Sequence, residues 1–408
     1  MTLNKYFPFA FVYFFINSIG LPFGLTYTAI LAPFFYYWVT IKTKKEILLP
    51  FIALVLLFAI IHISGGVDIL AYLISFFNIL AVYIFCRAFY TFLKLCRNKE
   101  LILWRLLVIN FILCVIAIPV YFTSFKGVLW IRQHLTEGFE NFLRLKLFTY
   151  EASYYATLFT PLFFYFLLQI ILRQNKHKVW ILVPMIFLPY LLSFSMGVIS
   201  SAFMAIIIAY FFYFKRLTRK KRLLTIFAVS GLLLIIVLPV LIIFFPDNAI
   251  FVRISNILSG SDSSGRGRTF EAFILANKIL AEKSYVWGIG LGQIKLTGAE
   301  IIRDYYLYPM DYKVFAIPNA AAETLAIFGW AGFCLRILIQ MFLFFYTRVW
   351  TNYYRLVLFL FIFLYQFSGS FITNIAEYVI WILAFTNAFP QFDVLKNSQR
   401  NKEIVSQA

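Results

Sequence analysis

Apolar runs long enough to cross a bilayer, parted by short polar turns, recur from Phe7 to Pro390. A bilayer core needs about twenty apolar residues per helix, and a helix apolar on all sides must face lipid or be fully buried. We read about twelve spans on that length rule, near 7–20, 24–41, 47–64, 69–92, 101–121, 153–172, 179–195, 197–214, 223–245, 320–347, 353–369 and 373–390. The seventh and eighth can form one helical hairpin turning near Met196 and Gly197. The expected fold is an all-α polytopic integral membrane protein, a single membrane domain over 1–408. The segment Met1 to Tyr6 leads straight into an apolar run, so no cleavable signal peptide is expected.

The formal charge of +19 raises a nucleic-acid reading, and its distribution removes it. Lys42, Lys44 and Lys45 fall in one turn, Lys94, Arg97 and Lys99 in another, Arg173, Lys176 and Lys178 in a third. Lys215 to Arg222, Arg348 with Arg355, and the tail with Lys396, Arg400 and Lys402 continue the alternation. Every second connection is basic, which is the bias of cytoplasmic loops. Both termini are therefore expected in the cytoplasm. Cys86, Cys96, Cys114 and Cys334 sit in spans or beside turns. They imply neither a disulfide framework nor a zinc site.

Two connections on the opposite side are long: 122–152 and 246–318. In the first, Val128, Ile131, Leu135, Phe139 and Phe142 recur at steps of three and four between polar residues. That spacing predicts an amphipathic helix in the interface, with Trp130 as an anchor. His134 is read as an interfacial residue of that helix.

The second connection gathers the groups able to bind an anion. Ser261 to Thr269 is a Ser/Gly stretch ending in Arg266 and Arg268. Thr269 can cap the helix that follows. Guanidinium groups beside a helix N-terminus suit phosphate; the alternative is a surface loop with solvated arginines. Gly288, Gly290 and Gly292 look like half a dinucleotide fingerprint, but the strand–helix–strand setting is missing. Tight turns where backbone meets another element suit them better. Glu151, at a membrane re-entry, is either a helix-end acid or a general base. Asn319, Glu323 and Arg336 mark the tenth span. An arginine deep in a span needs a partner, and Glu377 in the last span is a candidate. Arg253, Arg303 and Arg132 are further basic residues on this side.

Three stretches together resemble the Wzy family of O-antigen polymerases, within the O-antigen polymerase and ligase superfamily. Glu151-Ala152-Ser153-Tyr154 is similar to the family's Glu-Pro-Ser-aromatic re-entry, with Ala152 in place of proline. Arg268 precedes a helix and then Trp287 to Gly292. Asn319 and Glu323 precede Gly329-Trp330-Ala331-Gly332, like the family's Asn, Glu and Gly-x-x-Gly. Pro318 stands where the related ligases carry a histidine, which favours polymerase over ligase.

The resemblance implies one large and one medium periplasmic loop in a bacterial inner-membrane enzyme. Its substrates would be undecaprenyl-diphosphate-linked oligosaccharides, and a chain-length regulator in the membrane is an implied partner. Arg268 and Arg266 would bind the diphosphate, with Arg253, Arg303 and Arg132 as further candidates. Glu151 and Glu323 would compete as base or acceptor-orienting acid. No cofactor is implied. Capsule or exopolysaccharide polymerases of the same superfamily share this chemistry. A transporter, such as a flippase for the same lipid-linked unit, is the rival class; such proteins place polar groups near the midplane, often within inverted repeats. Here the spans hold few charges besides Arg336 and Glu377.

Overall fold

The structure is a computed structural model that describes residues 6–16, 18, 21, 26–44, 48–132, 143–217, 263–309 and 315–394. The ninth read span, Arg253 and His134 lie outside these residues.

The described chain is mostly helical. It begins α1 (Phe7–Phe15), α2 (Tyr27–Ile30), α3 (Ala32–Thr43), α4 (Leu49–Ser64), α5 (Ile69–Leu95), α6 (Lys99–Val120) and α7 (Lys126–Leu129). A small antiparallel pair, β1 (Trp130–Arg132) and β2 (Leu143–Leu145), follows. Then come α8 (Ala152–Ile171), α9 (Val179–Ser193), α10 (Met196–Leu217), α11 (Ser263–Arg268), α12 (Phe270–Ala281) and α13 (Thr297–Tyr306). The chain closes with α14 (Ala320–Tyr346), α15 (Tyr353–Tyr365) and α16 (Ile375–Phe385).

Among the described residues, five helices are long and apolar enough to cross a membrane: α5, α6, α8, α10 and α14. Four shorter apolar helices, α4, α9, α15 and α16, accompany them. The outer surface is hydrocarbon, with Phe34, Leu57, Ile60, Phe77, Leu338 and Phe342 exposed. A water-soluble monomer rarely exposes so much apolar area, whereas a bilayer is its natural solvent. The protein is embedded in a membrane.

Helix α8 is the axis of the bundle. Nearly every side chain from Ala152 to Gln169 is buried, with α9, α10, α15 and α16 packed around it. A second, smaller core lies to one side. Helix α12 presents Ala272, Leu275, Ala276, Ile279 and Leu280, an i, i+3, i+4, i+7, i+8 stripe. The stripe packs with Ile289, Leu291 and Ile302 against Leu325 and Ala326 of α14. The segment after Arg268 is therefore a folded cap on α14.

The first long connection differs from its expected form. The periodicity of 128–142 predicts a helix, yet Trp130–Arg132 within it is a strand paired with Leu143–Leu145, while Leu135, Phe139 and Phe142 lie outside the described residues. Nor is Trp130 an interfacial anchor. It is buried, and its indole N–H donates to the Ala117 carbonyl at 2.9 Å. Sealing a buried carbonyl at the end of α6 outweighs the placement of one ring at a surface. Buried Arg144 in turn donates from Nε to the Ser193 carbonyl at 3.0 Å, tying the hairpin to the end of α9.

Candidate functional site

Helix α14 is not continuous. Gly329 has φ 64° and ψ −170°, which breaks the helical ladder within the span. Broken backbone in an apolar setting needs other partners, and the chain from Tyr285 to Gly290 provides them. Ile289 N–H donates to Ala326 O at 3.1 Å and Gly290 N–H to Ile327 O at 3.0 Å. In the other direction Trp330 N–H donates to Tyr285 O and Ala331 N–H to Val286 O, both at 3.0 Å.

The contact is backbone on backbone. A Cβ at Gly288 would sit 2.3 Å from Ile327 O, and one at Gly329 2.2 Å from Val286 O. Glycine is required at both for closeness as well as for positive φ. The other side of this segment is pinned to the turn between α4 and α5. His62 Nε2 donates to Trp287 O at 2.8 Å, and Gln293 exchanges hydrogen bonds with the Asp68 backbone. Lys283 Nζ donates to Gly66 O at 3.0 Å.

Upstream of the break, α14 organises the candidate site. Asn319 is its N-cap, its carbonyl oxygen accepting from Ala322 N–H at 2.8 Å. The Asn319 amide donates to two carbonyls, Arg268 O and Phe367 O, each at 2.7 Å. One buried side chain thus fixes the Arg268 backbone to the start of α14. The Arg268 guanidinium reaches back to Glu151 Oε1 at 3.4 Å. Glu151 occupies the N-cap position of α8 but makes no side-chain cap. Its carboxylate faces Arg268, so of the two candidate acids it is the one at that cation.

Glu323 lies one turn into α14 and faces a cavity of about 270 Å³. Its Oε2 accepts from Ile372 N–H at 2.7 Å. Ser75 and Asn78 from α5, Lys295 and Tyr150 also line this space. Tyr150 and Tyr154, on either side of Glu151 in the sequence, are lining residues, whereas Glu151 and Arg268 themselves are not. Burial pushes the Tyr150 phenol well above its ordinary pKa, with smaller contributions from Tyr154 and Glu151. It is therefore a neutral hydrogen-bonding wall. The cavity offers a carboxylate, an ammonium, an amide and hydroxyls, a set suited to a hydroxyl-rich or anionic ligand.

The remaining predicted residues are placed separately. Arg266 pairs with Glu271 at 3.0 Å. Tyr306 donates to the same carboxylate at 3.2 Å, and burial, then Glu271, raises its phenol above the usual pKa. Arg303 lies over the Phe315 ring, 5.3 Å from its centre. Arg132 is exposed on β1. Thr269 does not cap α12 with its hydroxyl, which donates to Gly265 O at 2.8 Å within the preceding turn. The reason is that Ser263–Arg268 is itself helical, so a back-bond to the residue four earlier is available.

Deeper along α14, Arg336 is ion-paired with Glu377. It also donates to Gln366 Oε1 at 2.9 Å and Thr324 Oγ1 at 3.1 Å. Gln340 and Trp381 complete the cluster.

Sequence reasoning missed Ser75, Asn78, Tyr150 and Lys295. A polar pair three residues apart in an apolar span was the available signal for Ser75 and Asn78. Among the described residues, no group of three or more His, Cys, Asp or Glu is placed to hold a metal ion. Compared with protein-family models, characterised proteins and solved structures, the chain matches none.

Proposed function

We propose that the protein is a membrane glycosyltransferase that polymerises lipid-linked oligosaccharide repeat units, an O-antigen polymerase of the Wzy kind. The observation that carries this reading is the junction at Asn319. It ties the backbone of Arg268, which is paired with Glu151, to the helix whose Glu323 lines a polar cavity. An enzyme working on undecaprenyl-diphosphate substrates needs these parts in one place: a cation for the diphosphate, a carboxylate for the acceptor hydroxyl and a cavity for sugars.

In the reaction, the hydroxyl oxygen of an incoming lipid-linked unit attacks the anomeric carbon of the growing chain. The bond from that carbon to the phosphate oxygen breaks, and its electron pair leaves with undecaprenyl diphosphate. The hydroxyl proton passes to a carboxylate, Glu323 in the cavity or Glu151 beside Arg268. Arg268 stabilises charge on the departing diphosphate, the kind of preorganised electrostatic help that dominates many group transfers. Arg266, held on Glu271, is the secondary cation. The accompanying topology is about twelve spans in the bacterial inner membrane, with cytoplasmic termini and a periplasmic active face. A chain-length regulator in the same membrane is the proposed protein partner.

The test is lipopolysaccharide from cells carrying Arg268→Ala, resolved by length on a gel. The expected pattern is core plus a single repeat unit, with the variant still present in the membrane. Chains of normal length overturn the assignment. Bare core with lipid-linked polymer accumulating indicates a ligase instead, and bare core with units trapped inside indicates a flippase.

A further inference from the structure

The second part of α14 carries an exposed stripe on one side. Trp330, Cys334, Leu338, Phe342 and Tyr346 recur at every fourth position, and all are exposed. Helix α14 is apolar and long enough to cross a membrane, so this stripe faces lipid. Both its ends are aromatic residues of the kind that settle at bilayer interfaces. Trp330 and Tyr346 are parted by about 24 Å of helix, against about 30 Å for a hydrocarbon core.

Upstream of the break at Gly329, α14 has no such stripe. Its residues from Ala320 to Ile327 are nearly all buried, because α12 packs on them. There the exposed apolar surface passes to the cap. Tyr285 and Val286, whose carbonyls accept from Trp330 and Ala331, are both exposed. Phe333 stands edge-on to Trp330, ring centres 5.5 Å apart, and edge-on to Phe273 of α12 at 6.4 Å. Phe270 and Ile274, on either side of Phe273 in the sequence, are exposed as well. Helix α12 is thus apolar on two sides, and α14 covers only one of them. Cations stand beside the other. Arg266 is largely exposed, and Lys278 is exposed with its ammonium 4.9 Å from the centre of the Tyr305 ring. An apolar helix face flanked by cations suits the boundary between acyl chains and anionic headgroups.

We propose that the outer side of α12, together with Tyr285 and Val286, is seated in the lipid leaflet at the cap's end of α14. The occupant is lipid because the patch continues the lipid-facing stripe, at the level where that stripe ends in Trp330. Seating α12 also sets the height of Arg268. This residue lies two positions before Phe270, and Asn319 holds its carbonyl, so its guanidinium stands near the level of the lipid phosphates. An anion carried on a lipid then meets Arg268 without leaving the membrane. The seating itself does not depend on the reaction proposed above.

The experiment uses the purified full-length protein in nanodiscs of phosphatidylethanolamine and phosphatidylglycerol. Spin labels on single cysteines are read by their collisions with oxygen, which concentrates in lipid, and with a water-soluble nickel chelate. Cys96 and Cys114 are buried, and Cys86→Ser removes the half-buried thiol, leaving Cys334 as the lipid standard. Adding Cys334→Ser gives the background for the other sites. Glu300→Cys, on the exposed side of α13, is the water standard. Labels at Ile274→Cys and Val286→Cys are expected to show an oxygen-to-nickel ratio several-fold above that at Glu300→Cys. A label at Arg266→Cys is expected to fall between the two standards.

A ratio equal to the water standard at either Ile274→Cys or Val286→Cys overturns the seating. So does shielding from both reagents at either position, which puts protein over the patch, a second copy of the chain included. A ratio at Arg266→Cys equal to the water standard overturns the height assigned to Arg268.

Discussion

Among the described residues, two arginine–glutamate pairs bridge distant segments, and they differ in almost every physical respect. In Arg336–Glu377 the side chains are 13% and 0% exposed, and the guanidinium is also bonded to Gln366 and Thr324. In Arg268–Glu151 the side chains are 29% and 18% exposed, and a single nitrogen meets a single oxygen at 3.4 Å. The first pair is buried, and its guanidinium is bonded on three sides, while Glu377 Oε2 is left without a hydrogen-bond partner. The second is loose and keeps donors for something else. The first pair spends its guanidinium on fixed protein partners; the second leaves most of its own open to a ligand.

The largest expected effect follows from breaking the buried pair. Arg336→Met leaves Glu377 buried without its cation, and stability should fall by about 3–5 kcal/mol, read as thermal unfolding in detergent. An unfolding midpoint equal to wild type would place both pairs in one class. Next comes Arg268→Ala, expected to slow polymerisation roughly 10²–10³-fold while unfolding moves little. A large loss of folded protein here would erase the contrast from the other side.

A double-mutant cycle between Glu151 and Arg268 sharpens it further. Their coupling in unfolding free energy should stay below about 1 kcal/mol, as for other partly solvated pairs. A coupling several times larger makes this pair structural. The smallest effect is expected at Arg266, 60% exposed and paired with Glu271. Arg266→Ala should change stability by about 0.5 kcal/mol or less and leave long-chain product visible on the same gel.

The two pairs were also unequally legible in the sequence. An arginine and a glutamate inside apolar runs announce a buried pair, because neither is tolerable alone in hydrocarbon. Glu151 and Arg268 sit in polar surroundings, and nothing local says that they meet. Their meeting depends on Asn319 fixing the Arg268 carbonyl across fifty residues of chain. The same limit explains the hairpin at Trp130. Three-residue strands are too short to show alternation. The Ser/Gly stretch before Thr269 reads as a loop by propensity. It is helical where Gly267 lies close under Tyr306, a Cβ there falling 3.2 Å from the tyrosine hydroxyl.

The break at Gly329 has a bearing on how the protein is made. The backbone groups it exposes are satisfied by Tyr285 to Gly290, a segment that leaves the ribosome before α14 does. When α14 reaches the bilayer, the segment that completes it has already been synthesised. Moving that segment behind α14 by circular permutation would reverse the order and leave an interrupted helix waiting in lipid with unpaired amides. Position along the chain, and not only position in space, is part of what makes a broken span tolerable.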